Sequence, residues 1–220
     1  MLYRLACTKC GHLESDRAFR CSRCGSILEV KIDYSSIKIG RDFRKERIRN
    51  SKYLKFFPIN GFAVDSDEGG TTLVKKRVGQ GQVFLKLETR NPTGSFKDRG
   101  SSVEIAKAVE LKMKSVCCAS TGNMGISVSR YARKAGISAT IFIGRGASRG
   151  KMAKIRGYGA HLVRVSGDFN TALNAAEAFA RKTGAFICGD YHFRKEGRTC
   201  PIAQPQALET CLSIQISCTH

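Results

Sequence analysis

No apolar run in the 220-residue sequence approaches the roughly 20 residues that a bilayer-spanning helix needs, which excludes a helical membrane protein. The first ten residues, MLYRLACTKC, hold no apolar signal-peptide core, and this reads as a cytoplasmic protein. Acidic residues are scarce: 18 Asp and Glu stand against 38 Lys and Arg, a formal net charge of +20. Such an excess suits an anionic partner, either nucleic acid or anionic metabolites. The basic residues are scattered through the chain rather than gathered in one tail, which weighs against nucleic acid. With a hydrophobic fraction of 42%, the chain is long enough to bury a sizeable core. It shows no internal repeat and no low-complexity segment.

Ten cysteines without an export signal argue for metal ligation or buried thiols rather than disulfides. Cys7, Cys10, Cys21 and Cys24 form C-x2-C-x10-C-x2-C, and a glycine follows each pair, Gly11 and Gly25. Two such knuckles place four thiolates around one tetrahedral ion, zinc or a similar metal. Glycine after the second cysteine lets the backbone turn so that amides point at sulfur. A ribbon this small buries little core, so the metal supplies its folding energy. Residues 1–32 are therefore expected to form a small zinc ribbon. Such ribbons bind nucleic acid or serve as structural appendages of enzymes, and the motif does not choose between them.

Residues 33–60 are basic and partly helical in pattern, a connector with one apolar side; the connector and the segment after it run to about residue 80. From Val83 a rhythm begins. Strands are expected at VFLKLE, SVCCAS, SATIFI, AHLVRVS and AFICG. Between them lie helical patterns at KDRGSSVEIAKAVELKM, at GNMGISVSRYARKAG ending at Gly136, at KMAKIRGYG, and at DFNTALNAAEAFARKTG with Asp168 as its N-cap. Alternating strands and helices predict an α/β domain over 81–199, with a parallel sheet covered on both faces. The stretch GRGASRGKM at 144–152 fails the phosphate-loop pattern, because Arg145 takes the first glycine position and Met152 the last. It reads as a basic connection.

Ligands of open α/β sheets bind outside the carboxyl ends of the strands. Two loops are expected there: ETRNPTGSFKDRG, after a strand ending near Leu87, and ASTGNMG, after one ending near Cys118. In the second, Ser120, Thr121, Gly122 and Asn123 open a helix. Free amides and two hydroxyls there suit a carboxylate or phosphate, and plain N-capping by Ser or Thr explains the same residues. In the first, Lys97 follows the apolar Phe96 within a tight loop. A desolvated lysine amine is nucleophilic, as in the lysines that form Schiff bases with pyridoxal phosphate.

The pair NPTGSFKDRG and ASTGNMG resembles the threonine synthases, within the fold type II group of pyridoxal-phosphate enzymes. DEGGTTLVKK resembles the group's E-G-x-T-P-L segment, with Thr72 in place of the usual proline. The four-cysteine N-terminus resembles the zinc-ribbon extension of some members. The resemblance implies that Lys97 is the Schiff-base lysine and proton shuttle, that Phe96 packs near the cofactor, and that Asn123 bonds its ring hydroxyl. Ser120 and Thr121 are implied to hold the substrate carboxylate. The implied substrate is O-phospho-L-homoserine, converted to L-threonine and phosphate, and a homo-oligomer is compatible with the group.

After Ala185 the pattern weakens: YHFRKEGRT keeps Arg194, Glu196 and Gly197 of the group's N-P-x-R-x-E-G-Q-K-T, but Tyr191 and His192 depart. Residues 200–220 match nothing in the group, and the later glycine-rich loop that cradles the cofactor phosphate is missing. The expectation is an incomplete and inactive enzyme chain. Cys211, Cys218 and His220 are too irregularly spaced for a metal site. Two rival readings stand beside the first: another group member, such as a cysteate synthase or a serine/threonine dehydratase, and a zinc-ribbon nucleic-acid-binding protein on a dead enzyme core.

Overall fold

A computed structural model describes residues 3–40, 43, 49–64, 67–120 and 122–189. Thr121, the 190–199 segment with Arg194 and Glu196, and the 200–220 tail with Cys211, Cys218 and His220 lie outside the described residues.

The N-terminal ribbon has three antiparallel strands, β1 (Tyr3–Cys7), β2 (Leu13–Glu14) and β3 (Leu28–Ile32), with β1 in the centre. Leu5, Cys7, Cys21 and Leu28 are its buried residues, with Ala18 and Val30 packed against them. Four such side chains make a core too small to hold a fold by burial alone.

Strands β4 (Leu73–Val78) and β5 (Gly81–Lys86) pair with each other as an antiparallel hairpin, in register from Leu73 with Lys86 to Val78 with Gly81. A two-residue turn joins them, and Gly79 supplies its positive φ of 59°. This corrects the sequence reading. The strand before the lysine loop belongs to a separate two-stranded sheet, not to the parallel one. An apolar run shows that a strand forms but not which sheet it joins.

The parallel sheet has the order β8-β7-β6-β9, built from β6 (Ser115–Ala119), β7 (Ser138–Ile143), β8 (His161–Arg164) and β9 (Phe186–Cys188). The α/β expectation is borne out. Helices α1 (Lys97–Glu110), α2 (Asn123–Lys134), α3 (Arg149–Gly157) and α4 (Phe169–Thr183) alternate with these strands. Side chains alternate across a strand, so β6 feeds two cores. Val116 and Cys118 join α1, α2, Ile155 of α3, and Tyr53, Phe57 and Ile59 of the connector. Cys117 and Ala119 face Ala172, Leu173 and Ala176 of α4. The ends of α4 are the predicted ones: the Asp168 side chain accepts from the Thr171 amide at 3.0 Å, and Gly184 takes the left-handed conformation at φ 72°. Among the described residues no helix is long and apolar enough to cross a membrane.

Candidate active site

Lys97 is the first residue of α1, and the loop before it is held by the two residues after it. Asp98, fully buried, accepts from the Thr93 amide (2.6 Å), the Thr93 hydroxyl (2.7 Å) and the Ser127 hydroxyl of α2 (2.6 Å). Arg99 donates from Nε to Glu88 Oε2 at 2.9 Å and from Nη2 to Glu88 Oε1 at 2.8 Å. Thr71 donates its hydroxyl to Glu88 Oε1 at 2.7 Å and accepts from Arg99 at 3.1 Å. Asn91 donates to Glu88 Oε2 at 2.7 Å and accepts from the Gly69 amide at 3.0 Å. One buried network therefore fastens the segment around Gly69–Thr71 to both ends of the lysine loop. Burial pushes the Glu88 carboxyl up, but hydrogen bonds from Arg99, Thr71 and Asn91 and the Arg99 charge more than offset it. They leave Glu88 below the usual carboxylate range.

The connector adds a further support. Buried Asn50 donates to the Arg99 carbonyl at 2.8 Å and to the Ser102 hydroxyl at 2.9 Å. Glu68, 2% exposed, accepts from the Tyr131 hydroxyl of α2 at 2.8 Å. Burial pushes its carboxyl up to about 7, against the pull of the Tyr131 hydrogen bond.

The second loop meets the first through α2. Ser127 reaches Asp98, and the Ser101 hydroxyl of α1 lies 3.8 Å from the Met124 sulfur. The start of α2 thus lies against the start of α1, at the carboxyl end of β6. Ser120, buried, accepts from the Gly122 amide at 2.9 Å and the Gly125 amide at 2.8 Å. Its oxygen serves two amides at the start of α2 from two residues before the N-cap position, which is Gly122 and makes no side-chain cap of its own. Gly125 must be small: a β-carbon there would lie 2.9 Å from Ile141 Cγ2. Asn123 is exposed at the first turn of α2. Phe96 is 45% exposed, and the Lys97 Nζ sits 4.4 Å from its ring centroid. The start of α1, with Phe96 and Lys97, and the start of α2, with Ser120 and Asn123, are thus brought together by the Ser127–Asp98 and Ser101–Met124 contacts.

The four ribbon cysteines also converge. Their sulfurs all lie within 4.8 Å of one another, at 3.5 Å for Cys7–Cys24 and 3.6 Å for both Cys10–Cys21 and Cys10–Cys24. A tetrahedral site with metal–sulfur bonds of about 2.3 Å has edges of about 3.8 Å, so the cluster has the dimensions of a four-thiolate centre. The Lys9 and Cys10 amides lie 3.4 Å from the Cys7 sulfur. Gly11 and Gly25 take φ of 69° and 68°, and their amides close matching turns onto the Cys7 and Cys21 carbonyls.

This ribbon is docked on the α/β layer rather than tethered to it. Lys107 of α1, fully buried, pairs with Asp16 of the ribbon at 3.1 Å and with Glu110 at 2.8 Å. The Tyr3 hydroxyl donates to the same Asp16, and the Lys107 amine lies 4.7 Å from the Tyr3 ring centroid. Burial alone would lower the Lys107 amine; its bonds to Glu110, Tyr3 and Asp16 more than reverse that and hold it above its usual value. On the other face Arg20 pairs with Glu177 of α4 at 2.7 Å, and Phe19 packs against the α4 core. Between these contacts lies a cavity of about 310 Å³, lined by Phe19, Met113, Ala180 and Phe186 among others.

Residues 64–201 match the model of the pyridoxal-phosphate dependent enzymes. The chain belongs to the pyridoxal-phosphate dependent enzyme family. It is 35% identical over 207 residues to the threonine synthase of Methanosarcina acetivorans, covering 90% of this chain and 51% of that protein. It is 34% identical to the threonine synthase of Methanocaldococcus jannaschii over 205 residues, covering 87% of this chain and 51% of the relative. The chain thus spans about half the length of the curated relatives it matches. In fold it is similar to Escherichia coli diaminopropionate ammonia lyase, solved with an aminoacrylate–pyridoxal-phosphate azomethine (TM-score 0.57, 19% identity, 67% of this chain and 44% of that one). A pyridoxal-phosphate-dependent aspartate racemase is similar too, with a TM-score of 0.55 at 24% identity, over 65% of this chain and 46% of the racemase.

The residues present fit the family's cofactor. A primary amine at Lys97 and an exposed amide at Asn123 stand at two helix starts that the Asp98–Ser127 bond holds together. Sequence reasoning named Lys97, Phe96, Ser120 and Asn123 but missed Glu88, Arg99, Thr71, Asn50 and Glu68, which position them. Asp98 and Arg99 were in plain view in the motif; their buried environment was the signal that only packing reveals.

Proposed function

We propose that this chain serves threonine synthase chemistry, the conversion of O-phospho-L-homoserine and water to L-threonine and phosphate, with pyridoxal phosphate at Lys97. The observation that carries this reading is the juxtaposition of Lys97 with the Ser120–Asn123 helix start, under the Asp98–Ser127 bond. Two threonine synthases that match about nine-tenths of the chain support it. Bound pyridoxal phosphate supplies an electron sink for carbanions. The chain's own residues do the rest. Lys97 Nζ anchors the cofactor and moves protons to and from the substrate carbons. Phe96 lines the cofactor's side of the cleft, and the Asn123 amide orients the ring through its hydroxyl. The Ser120 and Thr121 hydroxyls, with nearby amides, hold the substrate carboxylate. Zinc at Cys7, Cys10, Cys21 and Cys24 is structural in this reading, the protein is cytoplasmic, and the basic surface draws in a phosphorylated amino acid.

The test loads the chain with pyridoxal phosphate and adds O-phospho-L-homoserine, L-serine and L-threonine in parallel. The reading expects a change in cofactor absorbance with O-phospho-L-homoserine alone. A response to serine or threonine instead would move the chain to the dehydratases.

A further inference from the structure

The cavity between the ribbon and the α/β layer holds about 310 Å³, at the small end of the roughly 300–1,000 Å³ range of ligand pockets. It lies at the opposite end of the parallel sheet from Ser120. Met113 stands two residues before the start of β6 and Phe186 opens β9, whereas Ser120 follows the end of β6. The walls come from both modules, with Phe19 from the ribbon and Ala180 from α4. The Arg20 guanidinium stands 5.3 Å from the Phe19 ring centroid and pairs with Glu177 at 2.7 Å. Asp16 and Glu177, the acids that dock the ribbon on α1 and α4, both belong to the cavity wall. The hollow is therefore part of the docked arrangement.

The charges of the wall do not balance once their partners are assigned. Asp16 is engaged by Lys107 at 3.1 Å and Glu177 by Arg20 at 2.7 Å, cations from outside the lining. The wall also holds Arg17 and Arg181. Arg17 donates from Nη2 to the Leu111 carbonyl at 3.0 Å, a bond that neutralises no charge. Arg181 stands 3.8 Å from a Glu177 oxygen and is 68% exposed. Each guanidinium offers five N–H donors in a fork that matches a carboxylate. Phe19, Met113, Ala180 and Phe186 present apolar surface beside them. A dianion would bring surplus charge against that surface, which is costly, and a neutral guest would leave the guanidinium charges unanswered.

We propose that this cavity binds a small monocarboxylate with an apolar body, its carboxylate at Arg17 and Arg181 and its body against Phe19, Met113 and Phe186. The site is separate from Lys97, and the proposal stands whatever Lys97 holds. An occupant touches both modules, so its binding energy stabilises the docked ribbon.

The experiment titrates the 220-residue chain with 4-methylpentanoate and with 3-phenylpropanoate, followed by the methyl resonances of Met113 and Ala180. Acetate, 4-methyl-1-pentanol and L-leucine run beside them: the first lacks the apolar body, the second lacks the charge, and the third adds an ammonium. At least one of the two apolar carboxylates is expected to saturate the shifts, with acetate and the alcohol weaker by about tenfold or more. Arg181→Gln, at an exposed position, is expected to weaken the carboxylate about 3- to 5-fold and to leave the alcohol unchanged. Ala180→Phe fills the hollow without removing a charge and is expected to abolish the Met113 shift; should it fail to fold, Arg181→Gln decides alone. Lys97→Ala is expected to leave the affinity within about twofold, as independent sites do.

No saturable shift with either carboxylate overturns the proposal, as does an alcohol that binds as tightly as the acid or an equal response to acetate. Tighter binding of L-leucine would assign recognition to the acids of the wall and overturn the monocarboxylate. Loss of binding in Lys97→Ala would place the ligand at the other end of the sheet and overturn the site.

Discussion

Arg99 and Glu88 form a two-pronged pair, Nε to Oε2 at 2.9 Å and Nη2 to Oε1 at 2.8 Å, with the arginine side chain 1% exposed. The pair bridges the loop that ends at Lys97 and the turn that begins it. Removing Arg99 leaves the Glu88 carboxylate, 24% exposed, without its ion partner, a loss below the roughly 3–5 kcal/mol of a fully buried pair and nearer about 2–3 kcal/mol. Arg99→Ala is expected to lose stability of that order in urea unfolding, and to loosen Lys97 without touching it. Lysine at 99 recovers only part, because one ammonium cannot span both carboxylate oxygens. The pH dependence has a definite sign. Glu88 is held below its unfolded value, so its contribution is present above about pH 4.3, the unfolded carboxyl value. It is lost as pH falls through the folded one. Glu88→Gln removes that acid limb of the stability profile; a profile unchanged by the substitution would contradict the network.

Glu68 behaves in the opposite sense. Burial raises its carboxyl to about 7, so the folded protein holds a proton that the unfolded chain releases near pH 4.3. Its contribution is fully present below that value and is lost as pH rises through about 7. Glu68→Gln, which keeps an acceptor for the Tyr131 hydroxyl, is expected to gain roughly 1–3 kcal/mol on wild type at pH 8. The difference shrinks toward pH 4. Unfolding curves at several pH values check this, and a variant equally stable relative to wild type at all of them would refute the buried-acid account.

The ribbon and α1 are coupled through Lys107. Its partners Asp16 and Glu110 come from different modules, so the ribbon neutralises a lysine buried in the helix that begins with Lys97. Asp16→Asn is expected to cost about 2–4 kcal/mol of stability and to raise hydrogen exchange across the ribbon-facing turn of α1. The proposed zinc enters the same chain of contacts. Cys10→Ser should lower bound metal below one ion per chain and reproduce part of the Asp16→Asn effect, whereas Lys97→Ala should leave metal content unchanged. If metal content is the same in Cys10→Ser and wild type, the four-cysteine assignment fails.

Much of this architecture was legible beforehand. The strands β6 to β9 and the helices between them announce themselves by apolar runs and turn residues, and Asp168 and Gly184 cap α4 where expected. The doubled cysteine knuckle needs only spacing. Strand β4 was hidden because Lys75, Lys76 and Arg77 make it look like a solvated connector; among the described residues its partner β5 pairs with it alone. The network around Lys97 was illegible for a different reason. Glu88, Thr71 and Asn50 come from three separate segments and acquire their meaning only when Arg99 is buried among them. The hydroxyl of Ser120 shows how one residue answers to two readings, since its oxygen already serves the α2 amides.

The central claim is that Lys97, and no other lysine, holds the cofactor. The direct measurement is borohydride reduction of the chain in pyridoxal phosphate, followed by peptide mass spectrometry. The account predicts one dominant tagged peptide carrying Lys97, absent from Lys97→Ala. A tag spread evenly over the surface lysines, or one that survives in Lys97→Ala, would contradict it.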